Sequence, residues 1–507
     1  MAATFSSRPQ RPLRQPLSAL CGLLGLPDPT PDPEVSGVTH DSRSVRPGDL
    51  YAALPGLRTH GARFTAEAIQ RGAVAVLTDP TGWAEFVAQG GLPESCPVLN
   101  VDHPREVLGE VAAWAYGDPS ADLEIVAVTG TDGKTTTAHL IESGLRVAGH
   151  LTGLVGTIDT RVAGESLPSV RTTPEATDLQ ALFAVMRERG VRFVVMEVSS
   201  HALALGRVNG TRFAAGLFTN LSQDHLDFHH DMESYFAAKA QLFDGRCRHE
   251  IVNVDDPYGR RLVKDSTVTV SAAGDPAAAW RASEAVVDRT GTHYLVDGPD
   301  GLRLRTVSTS PGEFNVANQL LAVAALVTLG VPAADAVSGT ALIDVPGRMQ
   351  AVLGGQQFLA VIDYAHTPDA VAKALAALRE RTEGRVIVVL GAGGDRDRDK
   401  RPLMGEAAAR GADLVIVTDD NPRSEDPAQI RAAVAAGARR AGGGDVVEIG
   451  DRREAIAEAV RRAGPEDALL VAGKGHERGQ EIDGVVHPFD DREVLESVLE
   501  RADWGFR

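Results

Sequence analysis

A segment near residue 130 has the residue types and the spacing that hold a nucleotide phosphate. The apolar run Ile125–Val128 leads into Thr129-Gly-Thr-Asp-Gly-Lys-Thr-Thr, and a helical pattern follows. Glycines let such a loop turn tightly, so that free backbone N–H groups point at a phosphate. Lys134 would reach the outer phosphates, and the Thr135 hydroxyl would bind Mg²⁺. The strict pattern has glycine where this chain has Val128, so the loop is a shortened form.

Lysine is scarce in this chain, which makes Lys134 more informative than a lysine usually is. The 507 residues contain six lysines. A plain glycine turn between a strand and a helix is the alternative, but it does not explain Gly-Lys-Thr-Thr at the start of the helix. We predict ATP contacts from Gly130, Thr131, Asp132, Gly133, Lys134, Thr135 and Thr136.

Side chains that could bind a metal follow two later predicted strands. Glu197 lies near the end of the buried run Val191–Val198, and His225 follows the run Ala214–Phe218. Ligands bind outside the carboxyl ends of strands in open α/β sheets, and Mg²⁺ prefers oxygen ligands. Glu197 alone could also be a carboxylate that faces water, and His225 alone could indicate zinc or a structural loop histidine.

Lys239 lies in the amphipathic helical stretch Tyr235–Phe243. The ordinary interpretation is a surface lysine whose aliphatic stem covers apolar neighbours while its ammonium reaches water.

The shortened phosphate loop, the Glu197-Val-Ser-Ser-His segment and the stretch around Lys239 resemble the Mur ligases and the folylpolyglutamate synthetases. That family couples ATP to amide-bond formation. The resemblance extends from about residue 36 to 492 and implies an acyl phosphate intermediate. The γ-phosphoryl group goes to a carboxylate, an amine attacks the activated carbonyl, and phosphate leaves. Such an enzyme mainly positions the groups and neutralises charge.

The resemblance also implies roles for individual residues. It assigns catalytic roles to Lys134, His225 and Lys239, and metal binding to Thr135, Glu197, His225 and Lys239. The family's lysine at the last position reacts with CO₂ to form a carbamate. A carbamate is an anionic oxygen ligand, whereas an ammonium would repel Mg²⁺. We therefore hypothesise that Lys239 is carbamylated to N6-carboxylysine.

Three short motifs later in the chain match the family's nucleotide contacts, in the family's order. They are Phe314-Asn-Val-Ala-Asn, Gly347-Arg-Met and Asp363-Tyr-Ala-His-Thr-Pro. By resemblance, Asn318 would contact the base, Arg348 a phosphate and Asp363 the ribose.

Segments before and after the phosphate loop reduce the number of possible carboxylate substrates. His40-Asp-Ser-Arg resembles the family domain that holds the UDP end of a sugar nucleotide, with Ser42 as the contact. Folylpolyglutamate synthetases have no matching domain. The residues expected to contact the muramoyl-peptide portion are Thr172, Thr173, Ser199 and Arg207. Hydroxyls and an arginine suit a substrate rich in amide and carboxylate oxygens.

The motif Asp420-Asn-Pro-Arg bears on the incoming amino acid. Lysine and diaminopimelate both end in an amine, but only diaminopimelate adds a carboxylate there. The Arg423 guanidinium could pair with that carboxylate in two hydrogen bonds, and Pro422 stiffens the loop. The tetrapeptide resembles the family's diaminopimelate signature, although alone it would indicate an Asn-Pro turn with a solvated arginine. The predicted diaminopimelate contacts are Arg396, Asp420, Asn421, Pro422, Arg423, Gly473 and Glu477, the last for the distal ammonium.

Composition excludes several other classes of protein. The net charge of −18 argues against a nucleic-acid binder. No apolar run approaches the ~20 residues of a membrane span. Arginines before the stretch Leu17–Leu26 faintly resemble a signal peptide, but its leucines have helical spacing. Three widely separated cysteines favour a reducing compartment.

Alternating strands and helices predict an α/β fold with mostly parallel sheets, and the length predicts several domains. We predict a disordered tail over residues 1–15 and a small N-terminal α/β domain for the UDP-sugar over 16–121. A central phosphate-loop ATPase domain would cover 122–345, and a C-terminal Rossmann-like domain for the amino acid would cover 346–507.

The resemblance implies a cytoplasmic enzyme of peptidoglycan precursor synthesis. It would use ATP and Mg²⁺ to add diaminopimelate to UDP-N-acetylmuramoyl-L-alanyl-D-glutamate, and the LL and meso stereoisomers stay open. We expect a monomer with small-molecule substrates, no nucleic-acid partner and no membrane insertion. The alternatives are a lysine-adding relative, a folylpolyglutamate synthetase, and a regulatory ATP-binding protein that makes no bond.

Overall fold

The structure is a computed structural model that describes residues 7–56, 59–88, 90, 93–169, 171–288 and 290–502. Its contacts divide the chain into two compact units. The first unit comprises Met1–Gly130, Leu145–Phe218 and Phe236–Glu250, and the second comprises Thr131–Gly144, Thr219–Tyr235 and Ile251–Arg507.

Besides a two-stranded pair described below, the first unit contains two larger sets of paired strands. The smaller set is fully parallel, with the spatial order Gly37–Thr39, Asp49–Ala52, Ala75–Thr78 and Val98–Asn100. The larger set has the spatial order Glu165–Pro168, Asp159–Val162, Thr152–Val155, Phe193–Glu197, Glu124–Thr129 and Phe213–Phe218. Its last four strands are parallel, and Glu197 pairs in register with Val128. The carboxyl ends of these strands therefore lie at one edge of the sheet.

Helices of the first unit cover these strands. Their bounds are Leu17–Leu24, Thr65–Gln70, Pro80–Ala88, Pro104–Ala115, Ala176–Glu188 and Ser200–Ala204, with 3₁₀ turns at Ser42–Ser44, Gly61–Phe64, Pro119–Ala121 and Gln241–Phe243. Leu17, Leu20 and Cys21 are buried in one core with Val38 and Leu50. The predicted helical interpretation of the leucine-rich stretch is therefore confirmed.

The described part of the predicted N-terminal tail is held by contacts within the first unit. Arg8 forms a largely buried ion pair with Asp49 at 2.6 Å. The backbone N–H groups of Gln10 and Arg11 both donate to the Glu188 carboxylate at 2.9 Å. The short strand Gln15–Pro16 pairs antiparallel with Glu34–Val35. The prediction of a disordered tail is therefore wrong for residues 7–15, because an ion pair and backbone hydrogen bonds hold this segment in place.

The second unit contains two further sets of strands and a two-stranded hairpin. The strand Cys247–Asn253, which begins in the first unit, pairs parallel with Val268–Ser271. The spatial order continues with Trp280–Asp288, Gly291–Asp297 and Arg303–Ser308. The other sheet has the order Gln350–Ala351, Leu359–Asp363, Ala468–Ala472, Val386–Leu390, Leu414–Val417 and Asp445–Glu448, parallel except at its first strand. A separate hairpin joins Gly479–Ile482 to Val485–Pro488.

The helices of the second unit have the bounds Leu226–His229, Pro257–Arg260, Glu313–Thr328, Ala333–Ala341, Pro368–Arg379, Lys400–Gly411, Pro427–Ala441, Arg452–Arg462 and Asp491–Arg501, with a 3₁₀ turn at Pro299–Gly301. Two more helices, Lys134–Val147 and Met232–Ala240, pass along the chain from this unit into the first.

The six-stranded sheet buries both of its faces. Val388 belongs to one core with Leu375 and Val434, whereas the next residue, Val389, belongs to another core with Ile456 and Leu495. Alternate residues of a strand point to opposite faces, so helices must cover both sides of this sheet. The predicted α/β class with mostly parallel sheets and a Rossmann-like C-terminal region is confirmed.

The predicted strands agree closely with the observed ones. The observed strand Phe193–Glu197 lies inside the predicted run Val191–Val198, and the strand Phe213–Phe218 begins one residue before the predicted run Ala214–Phe218. Within the described ranges, none of the helices combines the length and the apolar character that a bilayer span requires.

Candidate active site

The phosphate loop turns at a glycine that no other residue could replace without strain. Gly133 has φ +83°, and a Cβ atom there would lie 2.3 Å from Asn318 Oδ1. The Thr137 hydroxyl donates to the same oxygen at 3.3 Å. The helix begins at the next residue, Lys134, as the sequence predicted. Asn318, predicted to contact the base, therefore lies directly against the loop that precedes the helix.

The loop is tied to the segment that follows the Phe213–Phe218 strand. The Thr219 hydroxyl donates to the carbonyl oxygen of Asp132 at 2.6 Å, and the Asp132 N–H donates to Asn220 Oδ1 at 3.1 Å. Thr131 Oγ1 lies 3.2 Å from Tyr235 Oη. Thr131 and Asp132 thus hold the loop in place through hydrogen bonds to neighbouring residues.

The loop's lysine and threonine have defined contacts. Lys134 Nζ donates to the Thr131 carbonyl oxygen at 2.7 Å, which folds the side chain back over the loop. A guanidinium N–H of Arg348 donates to Thr135 Oγ1 at 3.3 Å. The sequence predicted that Thr135 binds Mg²⁺ and ATP and that Arg348 contacts a phosphate, and the structure brings these two side chains together.

Arg348 belongs to a cluster of aromatic and imidazole side chains. Its guanidinium lies 4.3 Å from the Tyr364 ring centroid, and the His476 ring lies 5.2 Å from the same ring. Burial, with the charges of Arg348 and His139, lowers the pKa of His476 to about 3. Burial and the nearby Glu477 raise the pKa of Tyr364 to about 12. Both groups are therefore neutral at pH 7.

Asp363, the predicted ribose contact, has both carboxylate oxygens engaged by backbone. Met349 N–H donates to Oδ2 at 2.7 Å, and Ala365 N–H donates to Oδ1 at 2.8 Å. Burial raises the pKa of Asp363, and Arg348 opposes that effect. The carboxylate orders the backbone around Arg348 and keeps further lone pairs as acceptors.

Lys239 is buried, so the surface interpretation of this lysine is wrong. Its exposed fraction is 1%, and Nζ donates to the Gly130 carbonyl oxygen at 2.7 Å. Both residues belong to the first unit. The helix that carries Lys239 is thereby attached to the first turn of the phosphate loop.

Glu197 lies at the carboxyl end of its strand with 1% of its surface exposed. Thr157 donates to both carboxylate oxygens, from its N–H at 2.7 Å and from its hydroxyl at 3.1 Å. A carboxylate is a hard oxygen donor of the kind that Mg²⁺ prefers. The donor set fits the predicted magnesium role.

His225 stands in a strained position beside an acidic residue. Its backbone φ is +55°, and its Nε2 lies 3.4 Å from Asp224 Oδ2. Burial raises the pKa of Asp224, but His225, His366 and Lys400 outweigh it and hold that pKa below its ordinary value. Among the described residues, no group of three or more His, Cys, Asp and Glu side chains forms a ready metal cage.

The residues predicted to contact the muramoyl-peptide portion form a connected set. Thr173 Oγ1 donates to the Glu197 carbonyl oxygen at 2.9 Å and accepts from the Ser199 N–H at 3.1 Å. Thr172 Oγ1 lies 3.0 Å from Thr157 Oγ1. An Arg207 N–H donates to the Thr173 carbonyl oxygen at 3.3 Å. The structure thus places this part of the predicted substrate site directly beside Glu197.

Glu175 was missed by the sequence reasoning. It lies among three arginines, with its carboxylate 2.9 Å from Arg207, 2.7 Å from Arg171 and 3.7 Å from Arg105. Burial lowers the pKa of Arg207 despite the opposing charge of Glu175. The three cations exceed the one carboxylate, so the set suits an anionic ligand. Only the position of Glu175 after Arg171-Thr-Thr-Pro could have drawn attention to it.

Ser42, the predicted UDP contact, opens a 3₁₀ turn and is 6% exposed. Its hydroxyl donates to Glu67 Oε2 at 3.1 Å. This contact lies in the N-terminal sheet region. Ser42 is therefore distant in sequence from the other residues predicted to contact the muramoyl-peptide substrate.

The Asp420–Arg423 motif forms the centre of a polar site in the second unit. Asn421 Nδ2 donates to Glu477 Oε2 at 2.9 Å, so two predicted diaminopimelate contacts meet. Gly473 has φ +112°, and a Cβ there would lie 2.6 Å from Asp420 Oδ2. The absence of a side chain at Gly473 therefore lets the strand end approach Asp420.

Arg423 is held in place by the neighbouring loop and hairpin. Its NH1 donates to the Gly394 carbonyl oxygen at 2.7 Å, and its Nε lies 3.2 Å from Glu481 Oε2. Its backbone φ is +53°. Arg396 is exposed on the adjacent loop. Glu481 was missed because nothing in its local sequence indicates which arginine it pairs with.

The loop that carries Arg398 is held by a carboxylate. Glu425 pairs with Arg398 at 3.1 Å and with Arg401 at 2.8 Å. The hydrogen bonds from Arg401 contribute most to lowering the pKa of Glu425 to about 2. Arg398 therefore has a partner that fixes this loop beside the Asp420–Arg423 motif.

Three family models match the chain in succession. Residues 34–116 match the Mur ligase family catalytic domain, residues 128–326 the Mur ligase middle domain, and residues 347–475 the Mur ligase glutamate ligase domain.

Two relatives match nearly the full length. The UDP-N-acetylmuramoyl-L-alanyl-D-glutamate–2,6-diaminopimelate ligase of Streptomyces coelicolor is 54% identical over 505 residues, which are 97% of this chain and 99% of the relative. The ligase of the same name from Streptomyces avermitilis is 54% identical and covers 98% of each chain. A solved structure of a ligase with this name is 33% identical, with a TM-score of 0.65 over 92% of this chain and 95% of that one.

Proposed function

The chain belongs to the Mur ligase family, and from this membership we infer that it is an ATP-dependent amide-bond ligase. It adds diaminopimelate to UDP-N-acetylmuramoyl-L-alanyl-D-glutamate in peptidoglycan precursor synthesis, as the names of the two Streptomyces relatives state of those enzymes. The observation that carries the choice of amino acid is the polar site around Asn421, Arg423 and Glu477.

We propose that the phosphate loop binds the outer phosphates of ATP through its backbone N–H groups and through Lys134. Arg348, which already donates to Thr135, neutralises charge on the phosphoryl group that is transferred. Asn318 and Asp363 contact the base and the ribose. Charge neutralisation matters because the phosphates and the acceptor carboxylate repel one another.

The acceptor carboxylate belongs to the muramoyl-peptide substrate. We propose that Thr172, Thr173 and Ser199 bind its amide and carboxylate oxygens, and that Arg207 pairs with one of its carboxylates. Ser42 contacts the UDP end. Holding the substrate in this way converts an encounter of separate molecules into a reaction between fixed neighbours.

Magnesium is the proposed cofactor, and it would supply positive charge between the phosphates and the carboxylate. Thr135, Glu197 and His225 would hold it, together with Lys239 as a carbamate. The oxygen donors Thr135 and Glu197 suit a hard cation.

The amino-acid substrate would lie against the Asp420–Arg423 motif. We propose that Arg423 pairs with the distal carboxylate of diaminopimelate, and that Glu477 accepts hydrogen bonds from the neighbouring ammonium. Arg396, Gly473 and the backbone at Pro422 complete the contacts. The other amine attacks the acyl phosphate, which forms the amide bond and releases phosphate. Lysine has no distal carboxylate with which Arg423 could pair.

We propose that the reaction takes place in the cytoplasm, because ATP and nucleotide-linked sugars are cytoplasmic metabolites. The test is a phosphate-release assay with ATP, UDP-N-acetylmuramoyl-L-alanyl-D-glutamate and either LL-diaminopimelate, meso-diaminopimelate or lysine. Release should require both substrates and should be fastest with one diaminopimelate stereoisomer. Release that is indifferent to both substrates would indicate an ATP-binding protein of another kind, and preference for lysine would contradict the choice of amino acid.

A further inference from the structure

Lys474 is a fully buried lysine at the diaminopimelate site, and none of the roles described above uses it. Its exposed fraction is 0%, and it stands in the loop that follows the strand Ala468–Ala472. A buried ammonium is costly unless it is paired and hydrogen-bonded. The partners of Lys474 therefore indicate why it is there.

The polar partners that the described residues give Lys474 are three of the predicted diaminopimelate contacts, Asp420, Asn421 and Glu477. Its Nζ donates to Asn421 Oδ1 at 2.8 Å. The same Nζ lies 3.6 Å from Asp420 Oδ1 and 3.5 Å from Glu477 Oε2. The ammonium thus contacts two carboxylates and one amide of the proposed diaminopimelate site.

Lys474 decides which way the Asn421 amide points. An ammonium only donates hydrogen bonds, so the Asn421 oxygen must face Lys474. The Glu481 N–H donates to that same oxygen at 3.0 Å. The amide nitrogen is then left to donate to Glu477 Oε2, at 2.9 Å. Because the Lys474 ammonium can only donate, it determines which group donates and which accepts in both hydrogen bonds, from Lys474 to Asn421 and from Asn421 to Glu477.

A second buried cation close by has a different set of partners. Arg452 is also 0% exposed, but both Nε and NH2 donate to the Asp491 carboxylate at 2.7 Å, and NH2 donates to the Ala472 carbonyl oxygen at 2.9 Å. These groups belong to a helix and a strand end. Arg452 therefore serves the scaffold, whereas Lys474 contacts residues of the site.

Two glycines let the backbone bring Lys474 into this position. Gly473 and Gly475 flank it with φ +112° and +55°. A Cβ at Gly475 would lie 2.8 Å from the Gly347 carbonyl oxygen and from Tyr364 Cβ. A loop with side chains at both flanking positions could not pack this closely.

We propose that Lys474 is a positioning residue for the incoming amino acid. It orients Asn421 and Glu477, and its ammonium offsets part of the negative charge that Asp420 and Glu477 bring to the site. This proposal rests on the proposed function. Without Lys474, Asn421 could rotate and two uncompensated carboxylates would lie side by side, which favours protonation of one of them.

The test is steady-state phosphate release by the full-length enzyme, with Lys474→Met compared with Lys373→Met. Lys373 is half-exposed in the helix Pro368–Arg379 and pairs with Asp369, one turn away. Lys474→Met should raise KM for diaminopimelate about 10- to 100-fold, because hydrogen bonds to charged groups are lost. KM for ATP and for the muramoyl dipeptide should change by less than about twofold, as should all constants of the control.

A double-mutant cycle with Glu477→Gln distinguishes a positioning role of Lys474 from a general loss of structure. If Lys474 acts through Glu477, Lys474→Met should raise KM for diaminopimelate less than about threefold in the Glu477→Gln background. Equal effects in both backgrounds, or an equal rise in all three KM values, would overturn the proposal. A Lys474→Met chain that does not fold even when combined with Asp420→Asn would also overturn it, since the lysine would then be structural. Wild-type release that does not need diaminopimelate would instead refute the proposed function.

Discussion

Lys239 Nζ lies 2.7 Å from the carbonyl oxygen of Gly130, although the two residues are 109 positions apart. The contact attaches a buried lysine to the first turn of the phosphate loop. A carbamate formed on Nζ would keep one N–H, which could still donate to Gly130, and would add two anionic oxygens. The observed position is therefore compatible with both the ammonium and the proposed carbamate.

Lys239→Ala is expected to lower the rate of phosphate release by more than about 100-fold, because it removes a proposed metal ligand. Short carboxylates added to the assay should restore part of the activity by supplying the missing oxygens. Lys264→Ala, at an exposed lysine, is the matched control and should leave the rate unchanged. Full activity of Lys239→Ala without any added carboxylate would show that carbamylation is not required.

Arg423→Ala should raise KM for diaminopimelate about 10- to 100-fold and change KM for ATP little. The variant loses the proposed bidentate pair with the distal carboxylate. Arg423→Lys should recover only part of the loss, because an ammonium lacks the planar fork of a guanidinium.

Arg439→Ala, at an exposed arginine of the helix Pro427–Ala441, is the control for Arg423. Any activity measured with lysine as the substrate should be insensitive to Arg423→Ala, since lysine has no distal carboxylate. An unchanged KM for diaminopimelate in Arg423→Ala would refute the proposed pair.

Gly133→Ala should raise KM for ATP at least about tenfold, because the added Cβ would push Asn318 away from the phosphate loop. The chain offers a closely matched control in Gly149→Ala. Gly133 has φ +83° and Gly149 has φ +82°, but at Gly149 nothing lies within 4 Å of an added Cβ. Backbone strain should lower the free energy of unfolding of both variants by about 1–2 kcal/mol, which thermal unfolding would detect. Only Gly133→Ala should impair ATP binding, and equal ATP affinity of the two variants would contradict this account.

His476 should make the protein less stable in weak acid. Its pKa is about 3 in the folded chain, lowered chiefly by burial, against an ordinary value of 6.5. The unfolded chain therefore takes up the proton first, so stability is full above about pH 6.5 and falls as the pH decreases. The loss at pH 5 is about 2 kcal/mol relative to pH 7.5.

Urea unfolding of His476→Gln at pH 7.5 and pH 5 checks this expectation. The variant should lose less stability than the wild type between the two pH values, whereas His487→Gln, at an exposed histidine, should behave like the wild type. Identical pH dependence of the wild type and His476→Gln would rule out the titration of His476 as the cause.

The strands, their order of appearance and the positions of the main motifs were predictable from the sequence. A buried parallel strand is a run of apolar, β-branched residues, and the ligand-binding residues follow where that run stops. Glu197 and the Asp420–Arg423 motif were found in this way. The phosphate loop was found because glycines and a lysine at fixed spacing determine a local backbone geometry without help from the rest of the chain.

Tertiary structure alone decided which distant side chains meet. The burial of Lys239 against Gly130, the three arginines around Glu175, and the link from Lys474 through Asn421 to Glu477 all join positions that are separate in sequence. Periodicity shows which face of a strand or helix is buried, but it does not identify the partner across the interface. The burial of a charged residue depends on that partner, because an unpaired ammonium would stay in water. For this reason the sequence determined the chemistry available to the protein, and the fold determined which distant side chains lie together.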